Sequence, residues 1–345
     1  MTKRNVALIT SDFILDPWLN QIAEELRARG FEIISGPKQA PPAKTVFDKR
    51  DFGSFFSATD LIVSTTRSLL PRDVLEASPR LRGVVFPTIG TESIDLQAAT
   101  ELGIAVANGP TPENFNSMAE STVLLMLALM YDLHATERVL ADNLPRPTTM
   151  RARMMAGKTV GLVGFGRIAR AVADRLQGWG MRIVAFDPYL QQSQVPANVE
   201  LVDLQALLWR SDIVSVHTTL TADTKHLINE AALETMKRSA FLINTSRGGV
   251  VDEKALYAAL KSHRIAGAAL DAFELEPLPP DHPLRELDNV ILTPHMVGHT
   301  QEIFDAIPGA ALQNIDRIME GQAPLYLRNP DVLPIWQQRL AQLAS

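Results

Sequence analysis

The chain has 345 residues, 46% hydrophobic and 21% charged, ordinary for a globular protein and long enough for two domains that each bury a core. A net charge of −6 and a pI near 5.7 argue against nucleic acid or an anionic membrane surface as the main partner. Cysteine is absent, which excludes disulfides, thiolate catalysis and cysteine metal sites, and no metal is expected.

The N-terminus starts basic, but its apolar run is too short for a signal peptide and is soon interrupted by Asp12 and Asp16. No stretch approaches ~18 uninterrupted apolar residues, so no membrane span is expected and a reducing, cytoplasmic setting is the expectation. A strand is predicted over 5–10, an amphipathic helix over 17–29 closed by Gly30, and a strand over 31–34. After a proline-rich loop at 36–44 come a strand at 61–64, a helix from Pro71, a strand at 81–86, a helix at 94–102 and a strand at 105–108. Such alternation means a parallel sheet covered on both faces, a flavodoxin-like or Rossmann-like domain without a glycine fingerprint of its own. The turn-rich stretch 109–113 is a domain boundary. The helix predicted over 117–133 is apolar on more than one face. It is expected to lie between domains or subunits, and a homodimer is the simplest symmetric outcome.

Residues 158–187 read as strand, tight glycine turn, helix, strand and acidic residue. Thr159 to Val163 is an apolar run ending at Gly164, and Gly164-Phe165-Gly166-Arg167-Ile168-Ala169 fits G-x-G-x-x-G/A. Gly164 permits the sharp turn, Gly166 lets the backbone approach a pyrophosphate, and Ala169 keeps helix and strand close. The N–H groups at the helix start, near Arg167 and Ile168, would bind the phosphates. Asp187, ending the second strand, is placed to accept from the adenosine ribose hydroxyls. No arginine follows it for a 2′-phosphate, which favours NAD over NADP. A glycine turn in some other α/β protein is the rival reading, but here the strand–turn–helix–strand–Asp context is complete.

The second βα series continues with helices near 203–209, 230–236 and 252–260 and strands at 213–217, 240–244, 265–270 and 290–293. A helix over 300–319 and a last short helix near 335–343 follow a different rhythm. Three clusters sit at strand ends, where open parallel sheets hold their ligands. In Asn244-Thr245-Ser246-Arg247-Gly248-Gly249, the arginine offers a planar fork for a carboxylate, with a surface arginine as the alternative. Asp271-Ala272-Phe273-Glu274-Leu275-Glu276 alone reads equally as a solvated acidic loop. In Thr293-Pro294-His295-Met296-Val297-Gly298-His299, a histidine just past a strand suits general acid/base work, a satisfied structural histidine being the rival. Together they fit one mechanism. A protonated His295 donates to a carbonyl oxygen, Glu276 orients it and supports its charge, Arg247 binds the neighbouring carboxylate, and a nicotinamide supplies hydride.

The motif order GKTVGLVGFGRIA, FDP, SVHTTLTADTKHLIN, LINTSRGGVVDEKAL, GAALDAFELEP and NVILTPHMVGHT resembles that of the D-isomer-specific 2-hydroxyacid dehydrogenases, best over 157–298 and more weakly over 63–133. The resemblance implies two Rossmann/flavodoxin-like α/β domains with the active site in the cleft between them. A substrate-binding domain would span 1–110 plus 300–345, and an NAD-binding domain 111–299. It implies Arg247, Glu276 and His295 as the catalytic set, Asp271 near the nicotinamide carboxamide, and His217, Thr218, Thr245 and Ser246 along the NAD cofactor. It implies a small 2-oxo or 2-hydroxy acid as substrate, contacted by Arg67 and by the backbone around Ile89 and Gly90. Thr88 departs from a common double glycine, Thr219 from a common proline, and 111–116, with Phe115, from a small glycine-containing turn. Formate and phosphite dehydrogenases are alternatives, though the formate enzymes carry glutamine where Glu276 stands. An NAD(H)-sensing corepressor-like binding protein is the rival from another class.

Overall fold

The computed structural model describes residues 4–149 and 152–344, which divide into two units, residues 4–113 with 300–344 and residues 114–149 with 152–299. The first unit begins β1 (Val6–Ile9), α1 (Asp16–Ala28), β2 (Glu32–Ser35), α2 (Phe52–Phe55) and β3 (Leu61–Val63). It continues with α3 (Arg72–Glu76), β4 (Gly83–Val85), α4 (Leu96–Glu101) and β5 (Ala105–Ala107). All strand pairs are parallel, in the order β2-β1-β3-β4-β5. β1 and β3 are wholly buried because helices cover both sheet faces, whereas edge strand β2 keeps exposed ends.

α5 (Pro112–Met130) and α6 (Leu133–Ala141) precede β6 (Thr159–Val163), α7 (Arg167–Arg175), β7 (Arg182–Phe186), β8 (Val199–Leu201) and α8 (Leu204–Arg210). Then come β9 (Ile213–Val216), α9 (Glu230–Thr235), β10 (Phe241–Asn244), α10 (Glu253–Lys261), β11 (Gly267–Leu270) and β12 (Val290–Leu292). This second sheet is also parallel, ordered β12-β11-β10-β9-β6-β7-β8, a doubly wound arrangement that reverses direction between β6 and β9. The parallel, doubly covered architecture expected from the alternating pattern is present in both units.

α11 (Gln301–Met319) and α12 (Leu333–Ala344) return to the first unit. There Ile307, Ala311, Ile315, Ile318 and Trp336 join one core cluster with β1, β3 and β5. Trp18 stacks on Phe304 at 4.3 Å, fastening α11 to α1. Among the described residues no helix is long and apolar enough to cross a membrane.

Two local expectations need correction. Pro112, read as part of a turn, starts α5, since a first helical turn needs no N–H from that residue. The helix expected over 117–133 stops at Met130. Asp132 takes a left-handed conformation with φ of 50°, and α6 begins after it. Most of the apolar face of α5 is used within its own unit, where Ala119, Val123, Leu125, Met126, Leu129 and Met130 pack with Val160, Leu162 and Val172, while Leu124 stays exposed. β8 and α2 were not foreseen, being too short for a clear period.

Candidate functional site

The carboxyl ends of the second sheet's strands carry every chemically notable group of that unit. At the point where strand order reverses, β6 ends in Gly164 with φ of +86°, and an added Cβ would lie 3.0 Å from the His217 carbonyl oxygen. Glycine is required there twice over, by conformation and by the close approach of the chain leaving β9. Gly166 forms the N-cap of α7, and no side chain caps the helix. An added Cβ on Gly166 would point into open space, with nothing within 4 Å. An uncapped helix start beside an open glycine is a cradle that a phosphate group fits. Arg167 is exposed and Ile168 half-buried on this first turn.

Asp187, half-buried after β7, closes the turn from the other side. Its Oδ2 accepts from the Phe165 N–H at 3.0 Å and its Oδ1 from the Tyr189 N–H at 3.0 Å. Each oxygen retains a further acceptor site for a ligand hydroxyl. After β9, the His217 ring meets buried Ser215, Nε2 to Oγ 2.9 Å. Burial of the imidazole pushes its pKa down to about 4, so the ring is neutral near pH 7. Thr218 is half-buried beside it.

Asn244, buried at the end of β10, organises the next turn. Its Oδ1 accepts from the N–H and hydroxyl of Ser246, at 3.0 and 2.7 Å, and its Nδ2 donates to the Arg247 carbonyl at 3.0 Å. Thr245 is buried against α5, its hydroxyl 3.3 Å from that of Thr122. The half-buried Arg247 donates from Nη1 to the Ser246 carbonyl at 2.9 Å. Gly248 then presses on the loop after β11, where an added Cβ would stand 1.8 Å from the Phe273 carbonyl carbon. The arginine turn and the loop carrying Glu276 are therefore in backbone contact.

Glu276 and His295 meet. The imidazole Nδ1 lies 2.9 Å from Oε1 and 3.0 Å from Oε2, and the side chains are 39% and 25% exposed for histidine and glutamate, so solvent still reaches the pair. A carboxylate only accepts, so Nδ1 carries the hydrogen and Nε2 is the nitrogen left for a reacting group. Glu276 Oε1 also accepts from the Phe273 N–H at 3.0 Å. His295 has φ of 57°, rare outside glycine, and its turn is tied down accordingly. Buried Asp271 accepts through Oδ1 from the Thr293 hydroxyl at 2.7 Å and from the N–H groups of Met296 and Val297 at 2.9 and 3.1 Å. On α5, the Ser117 hydroxyl donates to the Gly298 carbonyl at 2.8 Å. Partial burial and the nearby His295 charge hold His299 below the ordinary histidine range, partly offset by Asp271.

The three candidates in the first unit also sit at strand ends. Arg67 follows β3, its guanidinium 5.4 Å from the Phe13 ring centre. Ile89 and Gly90 follow β4, and the Ile89 carbonyl accepts from buried Asn108 at 2.7 Å. The organising residues Asn244, Gly248 and Thr293 carry no signal of their own in the sequence. Each stands inside a cluster already noticed, and only its long-range partner reveals its task.

Residues 123–297 match the family model described as D-isomer specific 2-hydroxyacid dehydrogenase, NAD binding domain. A glyoxylate reductase of Korarchaeum cryptofilum is 39% identical over 88% of this chain and 92% of its own length. A hydroxypyruvate reductase of Thermotoga maritima is 36% identical over 74% of this chain and 83% of its own. Among solved structures, a glyoxylate reductase from Paecilomyes thermophila superposes with a TM-score of 0.83 at 26% identity, covering 95% of this chain and 99% of that one.

Proposed function

The chain belongs to the D-isomer-specific 2-hydroxyacid dehydrogenase family, an enzyme family with an NAD(P) cofactor, and on that premise we propose that it reduces a small 2-oxo acid to the D-2-hydroxy acid with NADH. The observation that carries this reading is the Glu276–His295 pair, with its Nδ1 facing a carboxylate and its loop in backbone contact with the arginine turn.

The Gly164–Ile168 turn and the α7 start would hold the cofactor's pyrophosphate and Asp187 its adenosine ribose, with His217, Thr218, Thr245, Ser246 and Asp271 as the further residues that would line it. When bound, the nicotinamide supplies the hydride that reduces the carbonyl carbon. Arg247 binds the substrate carboxylate with its fork and polarises the adjacent carbonyl. His295 starts as the imidazolium, which the Glu276 carboxylate stabilises, and Nε2 gives its proton to the carbonyl oxygen as it becomes the hydroxyl. His295 ends neutral with Nδ1–H still directed at Glu276. Asp271 contributes by holding the 295–297 turn, whose first residue, His295, has φ of 57°. Arg67, Ile89 and Gly90 contact the substrate, the two latter through the backbone. The first unit is the substrate-binding domain and the second the NAD-binding domain.

The test is NADH oxidation with a panel of 2-oxo acids including glyoxylate, hydroxypyruvate and pyruvate. Turnover of at least one, lost in His295→Ala, is expected; NADH binding without turnover of any of them would replace this reading with a sensor. Equal use of NADPH would remove the role given to Asp187, whose carboxylate repels a 2′-phosphate.

The enzyme is proposed to be a cytoplasmic homodimer. α6 buries none of its residues, and Leu140 on it is 83% exposed, with Leu133, Leu144 and Met154 nearby in sequence also exposed. Exposed apolar side chains are costly in water, so the dimer contact is assigned to the exposed leucines of α6 and its flanks. Light scattering at micromolar concentration should report twice the monomer mass, and a monomer would dismiss the assignment.

A further inference from the structure

Behind the Glu276–His295 pair lies a second layer of ionisable groups. Glu253, first residue of α10, has a side chain only 11% exposed. Its Oε1 accepts from the backbone N–H of Glu274 at 2.6 Å, and its Oε2 lies 3.3 Å from His282 Nε2. In return the Glu253 N–H points at Glu274 Oε1 at 3.4 Å, and that oxygen is 3.0 Å from His226 Nε2. The next amide along, that of Phe273, donates to Glu276 Oε1, the oxygen 2.9 Å from His295 Nδ1. Two consecutive N–H groups thus join the layers: Glu253 grips one and Glu276 is gripped by the other. Gly248 bounds the same segment from its other side, leaving no room for a Cβ.

Resting on the catalytic reading above, we propose that Glu253, partnered by His282, is a positioning residue for the His295–Glu276 pair, fixing the 273–274 backbone so that Glu276 presents both oxygens to Nδ1. A glutamate opening a helix is favoured by the helix dipole alone, but that role needs no contact with another loop. Glu253 instead remains in a costly place. Burial and the charges of Glu274 and Glu276 push its pKa up, countered by the Glu274 N–H and by His282. These are the charged groups that face it from the loop after β11 and from the segment before β12. On its own helix, Asp252 caps Ala255 at 2.9 Å and Lys254 is exposed.

The test separates reach from charge. Glu253→Gln keeps an acceptor oxygen at the same length without the charge, whereas Glu253→Asp keeps the charge and withdraws it from Glu274. Turnover of the best 2-oxo acid, NADH affinity and the imidazole nitrogen NMR signals of His295 are measured in both, with Glu253→Ala alongside and His295→Ala for assignment. The Asp and Ala variants should lose the Nδ1–H signature and about 10- to 100-fold in kcat, with NADH affinity near native. The Gln variant should keep the signature and most of kcat. Should Glu253→Ala fail to fold, the Asp–Gln contrast decides. A native His295 signature in Glu253→Asp, or its loss in Glu253→Gln, overturns the proposal. The NMR arm reads the same way if the wild type turns over no 2-oxo acid, an outcome that would instead remove the reductase reading.

Discussion

Gly248→Ala is the sharpest perturbation available, because it strikes where the arginine turn and the Glu276 loop touch. The new Cβ would sit 1.8 Å from the Phe273 carbonyl carbon, 2.2 Å from its oxygen and 2.2 Å from the Glu274 nitrogen. Carbon atoms pack at ~3.5–4.0 Å, so one backbone must retreat by roughly 1.7 Å or more. These are main-chain atoms, not the tip of a flexible side chain. The retreat strains the 3.0 Å bond from Phe273 to Glu276 and the 2.6 Å bond from Glu274 to Glu253. Overpacking of this kind costs about 3 kcal/mol or more, and each lost hydrogen bond adds about 1 kcal/mol. Together these come to about 5 kcal/mol, which for a unit of this size lowers Tm by roughly 10–20 °C. Displacing Glu276 by about 1 Å should reduce turnover on the order of 10²-fold. Gly249→Ala is the matched control: its Cβ would meet only Leu220 methyl groups at 3.2 and 3.3 Å, which can shift. Thermal unfolding and NADH turnover of both variants are the assays. A Gly248→Ala protein with native Tm and turnover would refute the backbone contact on which the site's assembly rests.

Gly166→Ala should fold with a near-native Tm, since its Cβ enters open space, yet bind NADH at least about tenfold more weakly in a fluorescence titration because that space is the phosphate cradle. Glu276→Gln removes the carboxylate that faces His295 Nδ1, so turnover should fall while NADH affinity stays near native, and native turnover would contradict the pairing. His295→Ala should lose about 10²–10⁴-fold in turnover, and Arg247→Lys should raise KM for the 2-oxo acid and lower kcat, read by steady-state kinetics. For His217 the folded pKa of about 4 lies below the ordinary 6.5. The unfolded chain therefore binds the extra proton first, and stability falls as pH drops through that window. His217→Gln should flatten this acid-side loss in denaturant melts at pH 7 and pH 4.5.

The glycine turn, the strand-end clusters and the alternating architecture were legible in the sequence because each is local. A turn needs particular residues at fixed offsets, and a buried parallel strand is a short apolar run between turn signals. The misplaced end of the helix at 117–133 has the same root: hydrophobicity reports that a helix is buried but not where it stops. Nothing in the spacing signalled that Asp132 would adopt φ of 50° and end one helix before another. Glu253 read as an ordinary residue of a helix start, since its partners stand 21 and 29 residues away.

What joins the clusters is strand order. Asn244 lies opposite Leu270 on β11, and Leu270 opposite Leu292 on β12, so the segments that follow start side by side. Gaps of more than 20 residues in sequence collapse to strand spacings of ~4.8 Å. Right-handed crossovers between successive parallel strands produce that adjacency, which is why the arginine turn, the glutamate loop and the histidine turn follow β10, β11 and β12 in that sequence. The residues that finish the geometry are those that bond within these turns or tie them together: Asn244 bonds within the first, Gly248 packs the first against the second, and Asp271 bonds from the second to the third. Such ties have no periodicity and no motif of their own. They depend on which turn faces which, and sheet order alone decides that.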